Sequence, residues 1–190
     1  MIAPLPDSPL VREATALSAR AHTPSLFNHS LRVFVLGREV GRLRGLQVDE
    51  EGLLLVALLH DLGLSSAHRN PALAFPEVGA DLVRKLVRAH GEPARAQALA
   101  EAVAMHVQLF PRGPRSVEGA LLHLGNVIDV TGFRSNQVGR SFLAEAQEAF
   151  PRLKLNHEGA GAVLASMRSF RSIAGLVVPF DRPAAVSGTT

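Results

Sequence analysis

The chain contains no cysteine. That absence removes disulfides, thiolate metal sites, iron–sulfur clusters and cysteine nucleophiles together, and it accords with a cytoplasmic protein. Tryptophan and tyrosine are missing too, and aromatic residues make up only 5% of the sequence. Bases would find few rings on which to stack. No run approaches the roughly 18 to 20 apolar residues that a membrane-crossing helix requires, so no membrane segment is expected. The opening stretch MIAPLPDSPLVRE lacks the basic start and apolar core of a secretory signal, and none is expected. Long runs of like charge are also absent. The formal net charge is +3 and the sequence pI about 10.5. The basic residues are scattered among acidic neighbours, which argues against nucleic acid as a partner.

What is present fits one globular domain with a sizeable core: 190 residues, 47% apolar and 19% charged. The punctuation predicts helices joined by short turns. Ser8 caps a helix that begins with Pro9 and runs to about Ala21, and Pro24 with Ser25 opens a second to about Leu46. Asp49 caps a third that Gly63 closes. Pro76 to His90 forms a fourth, stopped by Gly91, and Pro93 to about Leu109 a fifth. Ser116 to about Val130 makes the sixth, with further helices expected over 139–149 and 158–172. Alternating strand patterns are nearly absent, GLVVPF at 175–180 being the only short candidate. The expected fold class is all-α, one domain over 1–180, with 181–190 a mobile tail.

One stretch raises a chemical question. In GLLLVALLHDLGL, from Gly52 to Leu64, seven apolar residues run into His60 and Asp61, after which leucine resumes. Burying an unpaired carboxylate costs several kcal/mol, so this pair needs a compensating partner. A lone His-Asp pair carries little information, but other helices carry companions. His29 lies in FNHSLRVF, His106 in VAMHVQL and Asp129 in HLGNVIDVTG. Each is an ionisable group set in an apolar helical face. Converging on one cation would compensate them together, and imidazole with carboxylate suits zinc, iron, manganese, nickel or cobalt. Such an ion lowers the pKa of water toward neutrality and so supplies a nucleophile.

The order His29, His60-Asp61, Asp129 resembles the metal-binding signature of the HD-domain superfamily. The similarity spans roughly residues 20 to 170, and SLFNHSLRVF, ALLHDLGL, VIDVTGF and AFPRLKLNHEG most resemble its cyanamide hydratase-like branch. The resemblance implies an all-α helical bundle around a buried metal site, with His29, His60, Asp61 and Asp129 as ligands. It also implies water attacking phosphorus, as in most of the superfamily, or an unsaturated carbon, as in the closer branch. Two departures bear on the substrate. The branch carries a Phe-Glu-Phe-Tyr-Gly-Gly-like box where this chain reads FPEVGA, so Pro76 replaces the glutamate and Glu77 is one place on. In two-metal HD phosphodiesterases a histidine stands where Phe75 does, and a lysine often stands where Leu64 does. One metal is therefore expected rather than two.

Asp61 and His106 are the candidates for handling protons, His106 with a ligand role as its alternative. Asn28, Arg32, Phe75, Glu77 and Gln108 are the candidates for touching substrate. For Arg32 an ion pair with Asp61 or Glu39 is the competing expectation. Phe27, Phe34 and Phe133 are candidate apolar walls, and His68 a candidate for the pocket mouth. The expected activity is metal-dependent hydrolysis or hydration of a small molecule. An HD module that binds without turnover is the alternative, and a homo-oligomer is left open.

Overall fold

The computed structural model describes residues 2–108 and 116–155. Among these residues the chain forms seven α-helices and no strand. Helix α1 (Pro9–Ala21) begins where Ser8 accepts the amide of Val11 at 3.1 Å, with Pro9 in the first turn. Helix α2 (Pro24–Leu43) starts after Thr23, whose side chain accepts the amide of Leu26. It stops three residues short of the expected Leu46, because Gly45 turns the chain at φ 63°. Helix α3 (Glu50–Leu59) is capped by Asp49, which accepts the Gly52 amide at 2.9 Å.

Helix α4 (Phe75–Ala89) begins one residue before the expected proline, and α5 (Pro93–Ala104) ends well before Leu109. Helix α6 (Val117–Thr131) runs from the Ser116 cap to Gly132 in the left-handed conformation, φ 70°. Helix α7 (Arg140–Ala149) closes the described chain. The expected helix at 158–172, the 175–180 strand and the 181–190 tail lie outside the described residues.

Helix α3 is the centre. Residues 52–59 are buried all round, as expected for a helix apolar on every face. It packs against α1, α2, α4, α5 and α6, which surround it. Helices α2 and α6 approach closest where side chains vanish. A Cβ on Gly125 would lie 2.2 Å from the carbonyl oxygen of Val33, and one on Gly37 would lie 2.7 Å from that of Leu121. Backbone contact at these two positions sets how near α6 brings Asp129 to α2. No helix among the described residues is long and apolar enough to cross a membrane.

Candidate metal centre

Helix α2 carries His29 and Arg32 one turn apart, so both face α6. Helix α3 ends at Leu59. His60 keeps helical angles (φ −60°, ψ −35°), whereas Asp61 departs from them (φ −102°, ψ 6°). In a continuing helix neighbouring side chains diverge by about 100°. The departure instead brings His60 Nε2 to 3.2 Å from Asp61 Oδ2. A 3-10 turn, Leu62–Leu64, follows, and Gly63 lies so close to Phe75 that a Cβ would be 2.4 Å from its carbonyl oxygen. Phe75 is thereby held beside the site. His106 sits in the turn after α5, and Asp129 near the end of α6.

Three imidazoles surround the Asp61 carboxylate. Besides His60, His29 Nε2 lies 3.6 Å from Oδ2 and His106 Nε2 lies 3.7 Å from Oδ1. The partners of the opposite ring nitrogens fix the tautomers. His60 Nδ1 faces the carbonyl of Ala57 at 2.8 Å and His106 Nδ1 that of Val103 at 2.6 Å. A carbonyl only accepts, so each Nδ1 carries a hydrogen, and each Nε2 presents a lone pair when its ring is neutral. His29 Nδ1 likewise donates to Asp129 Oδ2 at 2.6 Å. The Nε2 atoms of His60 and His106 are buried without a hydrogen-bond partner.

Lone pairs aimed at a carboxylate are stable only if positive charge lies among them. No arginine or lysine pairs with Asp61 among the described residues, since its ion-pair neighbours are these histidines alone. The electrostatics point the same way. Burial disfavours the Asp61 anion, yet the charge of His60 and contacts with His106 hold its carboxyl well below the usual range. Burial also opposes protonation of His60, but the Asp61 charge outweighs it and raises that imidazole. His106 is lowered, chiefly by burial. The buried Asp61 anion calls for positive charge beside it, which a protonated His60 or a bound cation supplies.

A metal ion meets that demand. Ligand atoms of His29, His60 and Asp61 all lie within 4.8 Å of one another. Bonds of about 2.0–2.2 Å to one ion separate neighbouring donors by roughly 3.0–3.5 Å, close to the contacts around Asp61. Two neutral imidazoles and a carboxylate form a donor set suited to a divalent transition metal.

Asp129 lies one layer further out. Its Oδ1 accepts from Arg32 Nε at 2.7 Å and Arg152 Nη1 at 3.1 Å, and its Oδ2 from His29 at 2.6 Å and Arg32 Nη2 at 3.0 Å. Burial raises its pKa, but the hydrogen bonds of His29 and Arg32 prevail and bring it down to about 2. The four-ligand set implied by the resemblance is thus seen here as three converging residues, with Asp129 behind one of them.

The remaining candidates divide. Arg32 pairs with Asp129 and not with Asp61 or Glu39, and Glu39 is taken by Arg42 at 2.7 Å. Phe75 lies edge-on to His106, centroids 5.7 Å apart. Asn28 donates to the carbonyl of Pro151 at 2.9 Å. Glu77 is exposed and accepts the Ala74 amide at 3.2 Å, closing the start of its own helix. Gln108 is exposed. Phe34 is core and Phe133 is 64% exposed. His68 is half-buried, its Nδ1 against Ser65 Oγ at 3.2 Å.

Three contributors escape a reading of the sequence. Arg152 also donates to the Asp129 carbonyl at 2.6 Å, and only its place in the AFPRLKL turn hints at this. His123 donates from Nδ1 to the His106 carbonyl at 2.7 Å. His22 is buried, sits against Ser18 Oγ at 3.1 Å, and is pushed by burial to a pKa of about 4.

The profile of the HD domain family matches residues 26–131. Two curated yeast proteins, the cyanamide hydratases DDI2 and DDI3 of Saccharomyces cerevisiae, are each 29% identical to the chain over 157 residues. Each match covers 80% of this chain and 70% of the yeast protein. The matched span carries His29, His60, Asp61, His106 and Asp129, the residues that surround the buried centre. The chain belongs to the HD domain family.

Proposed function

We propose that the chain holds one divalent transition ion through His29, His60 and Asp61, and adds water to a small, uncharged substrate with a nitrile- or cyanamide-type carbon. When bound, the ion supplies a Lewis acid that acidifies water and polarises the substrate. Asp61 offers a carboxylate kept ionised despite burial, so it can take the proton that water releases as its oxygen bonds to carbon, and return it to the substrate nitrogen, which receives the electron pair of the broken carbon–nitrogen π bond. His106, with its hydrogen committed to Val103, presents Nε2 as an acceptor and cannot donate from that atom. Phe75, edge-on to His106, gives the substrate an apolar neighbour.

The observation that carries this choice is the use made of Arg32. It is fully buried, and its guanidinium is committed to Asp129 and to the carbonyl of Phe150 at 2.7 Å. Arg152 is spent on the same carboxylate. Arg134 is exposed and lies over the Phe133 ring, and Arg69 is exposed. Phosphoryl transfer needs cations aimed at the phosphoryl oxygens. Around Asp61 the described residues offer imidazoles instead, which favours a neutral substrate. The yeast relatives' names supply the matching chemistry, hydration of cyanamide.

The test is a substrate panel with metal-loaded protein, cyanamide and small nitriles against nucleotides and phosphate esters. Urea or amide formation supports the proposal. Release of phosphate would overturn it in favour of a phosphohydrolase, and tight metal binding with no turnover on either set would favour a binding module.

A further inference from the structure

We propose that helix α1 holds helix α3 broken, with Ser18 as a positioning residue that acts on the main chain of α3 from outside. The inference stands on contacts among α1, α3 and α4, and it applies to the metal-free chain.

The case begins with where the last carbonyls of α3 find donors. A helix end leaves its final carbonyls without partners of its own, and buried ones must be answered. Two are answered by side chains here. The carbonyl of Ala57 takes His60 Nδ1 at 2.8 Å, and that of Leu58 takes the hydroxyl of Ser18 at 2.9 Å. In a continuing helix these carbonyls would serve the amides of Asp61 and Leu62. The side chains compete with those amides and favour the end of the helix at Leu59.

Ser18 is fully buried in α1, forty residues before the carbonyl it reaches. A serine inside a helix ordinarily bonds back to its own preceding turn. Ser30, equally buried in α2, does this, donating to the Leu26 carbonyl at 3.2 Å. Ser18 instead spends its single hydrogen on another helix. His22, one turn on, fixes that choice. Its Nδ1 lies 3.1 Å from Ser18 Oγ and donates to it, because the hydroxyl hydrogen is already given to Leu58. The His22 amide also donates to the Ser18 carbonyl at 2.9 Å, so the end of α1 presents the hydroxyl in one orientation.

From its own side α4 meets the break at Gly79. A Cβ there would lie 2.8 Å from the carbonyl oxygens of both Leu59 and His60, so only glycine fits against them. The break is thus held between two helices that follow and precede it in the chain.

The experiment follows the main chain of metal-free protein by carbon-13 NMR, then reads zinc affinity by chelator competition. Ser18→Ala should move the Asp61 Cα shift toward helical values. It should also weaken zinc binding by about 10-fold, the lower end for residues that orient a ligand from behind. Both readings unchanged in a variant that only melts at a lower temperature would overturn the proposal, since Ser18 would then merely pack. Should that variant not fold, His22→Phe keeps a ring and removes the donor to Ser18. The same movement of the Asp61 shift is expected there, and an unmoved shift overturns the proposal. A wild-type chain that takes up no zinc would remove the metal reading and leave the Cα shift to decide.

Discussion

Replacing Arg32 by methionine keeps the apolar stem and removes the charge. Arg32 is fully buried and donates at 2.7 and 3.0 Å to Asp129 and at 2.7 Å to the carbonyl of Phe150. Asp129, its side chain 2% exposed, would be left with His29 and Arg152. Removing one partner of a buried ion pair costs about 3–5 kcal/mol. Arg152 already contacts Asp129 at 3.1 Å and compensates in part, so the low end, about 3 kcal/mol, is expected. The pKa of Asp129 gives a second measure. Its fall from 3.8 to about 2 corresponds to roughly 2 to 3 kcal/mol of native-state preference for the anion, summed over its partners.

The sign follows. A carboxyl depressed in the fold contributes stability that is present above about pH 4 and lost as pH falls toward 2. Urea unfolding with chelator present, so that metal does not contribute, reads the loss directly. Arg32→Met should lower stability by about 3 kcal/mol at pH 7, and adding Asp129→Asn should recover part of that loss. A loss under about 1 kcal/mol, or a double variant as unstable as the two single losses added, would refute the reasoning.

Two further outcomes are expected. Gly125→Ala places a methyl group 2.2 Å from the Val33 carbonyl, so α2 and α6 must part. A loss of about 2 kcal/mol or more, read as a melting temperature at least about 5 °C lower, is predicted, and an unchanged melting point contradicts it. His22 is neutral in the fold, with its pKa lowered from 6.5 to about 4 by burial. Its contribution is therefore present above about pH 6.5 and lost as pH falls toward 4. With chelator present, the wild type should lose more stability than His22→Asn between pH 7 and 4.5, and parallel losses would count against this.

Helix starts were legible because their signals are local. Ser8, Asp49 and Ser116 each accept the amide three residues on, within sight of their own sequence. Helix ends were less so. Helix α3 was expected to carry His60 and Asp61 to Gly63, yet it breaks at Leu59, and that break makes the pair converge. What draws Gly63 against Phe75 is a contact between distant segments, invisible to a window of neighbours. The same limit applies to Asp129. Its type and its apolar surroundings mark it as a member of the cluster, but whether it faces the centre or His29 depends on Arg32 and Arg152, the latter 23 residues away. The likeness of FPEVGA to a family box marked Glu77 as a candidate for touching substrate, and its carboxylate accepts the Ala74 amide at the start of its own helix, a local contact that the likeness does not reveal.

Crystals of the chain grown with zinc, with diffraction recorded on either side of the zinc absorption edge, locate the ion without reference to activity. One anomalous peak within about 2.3 Å of His29 Nε2, His60 Nε2 and an Asp61 oxygen is the predicted result. Peaks only on surface histidines such as His90, with the buried cluster holding none, would contradict it.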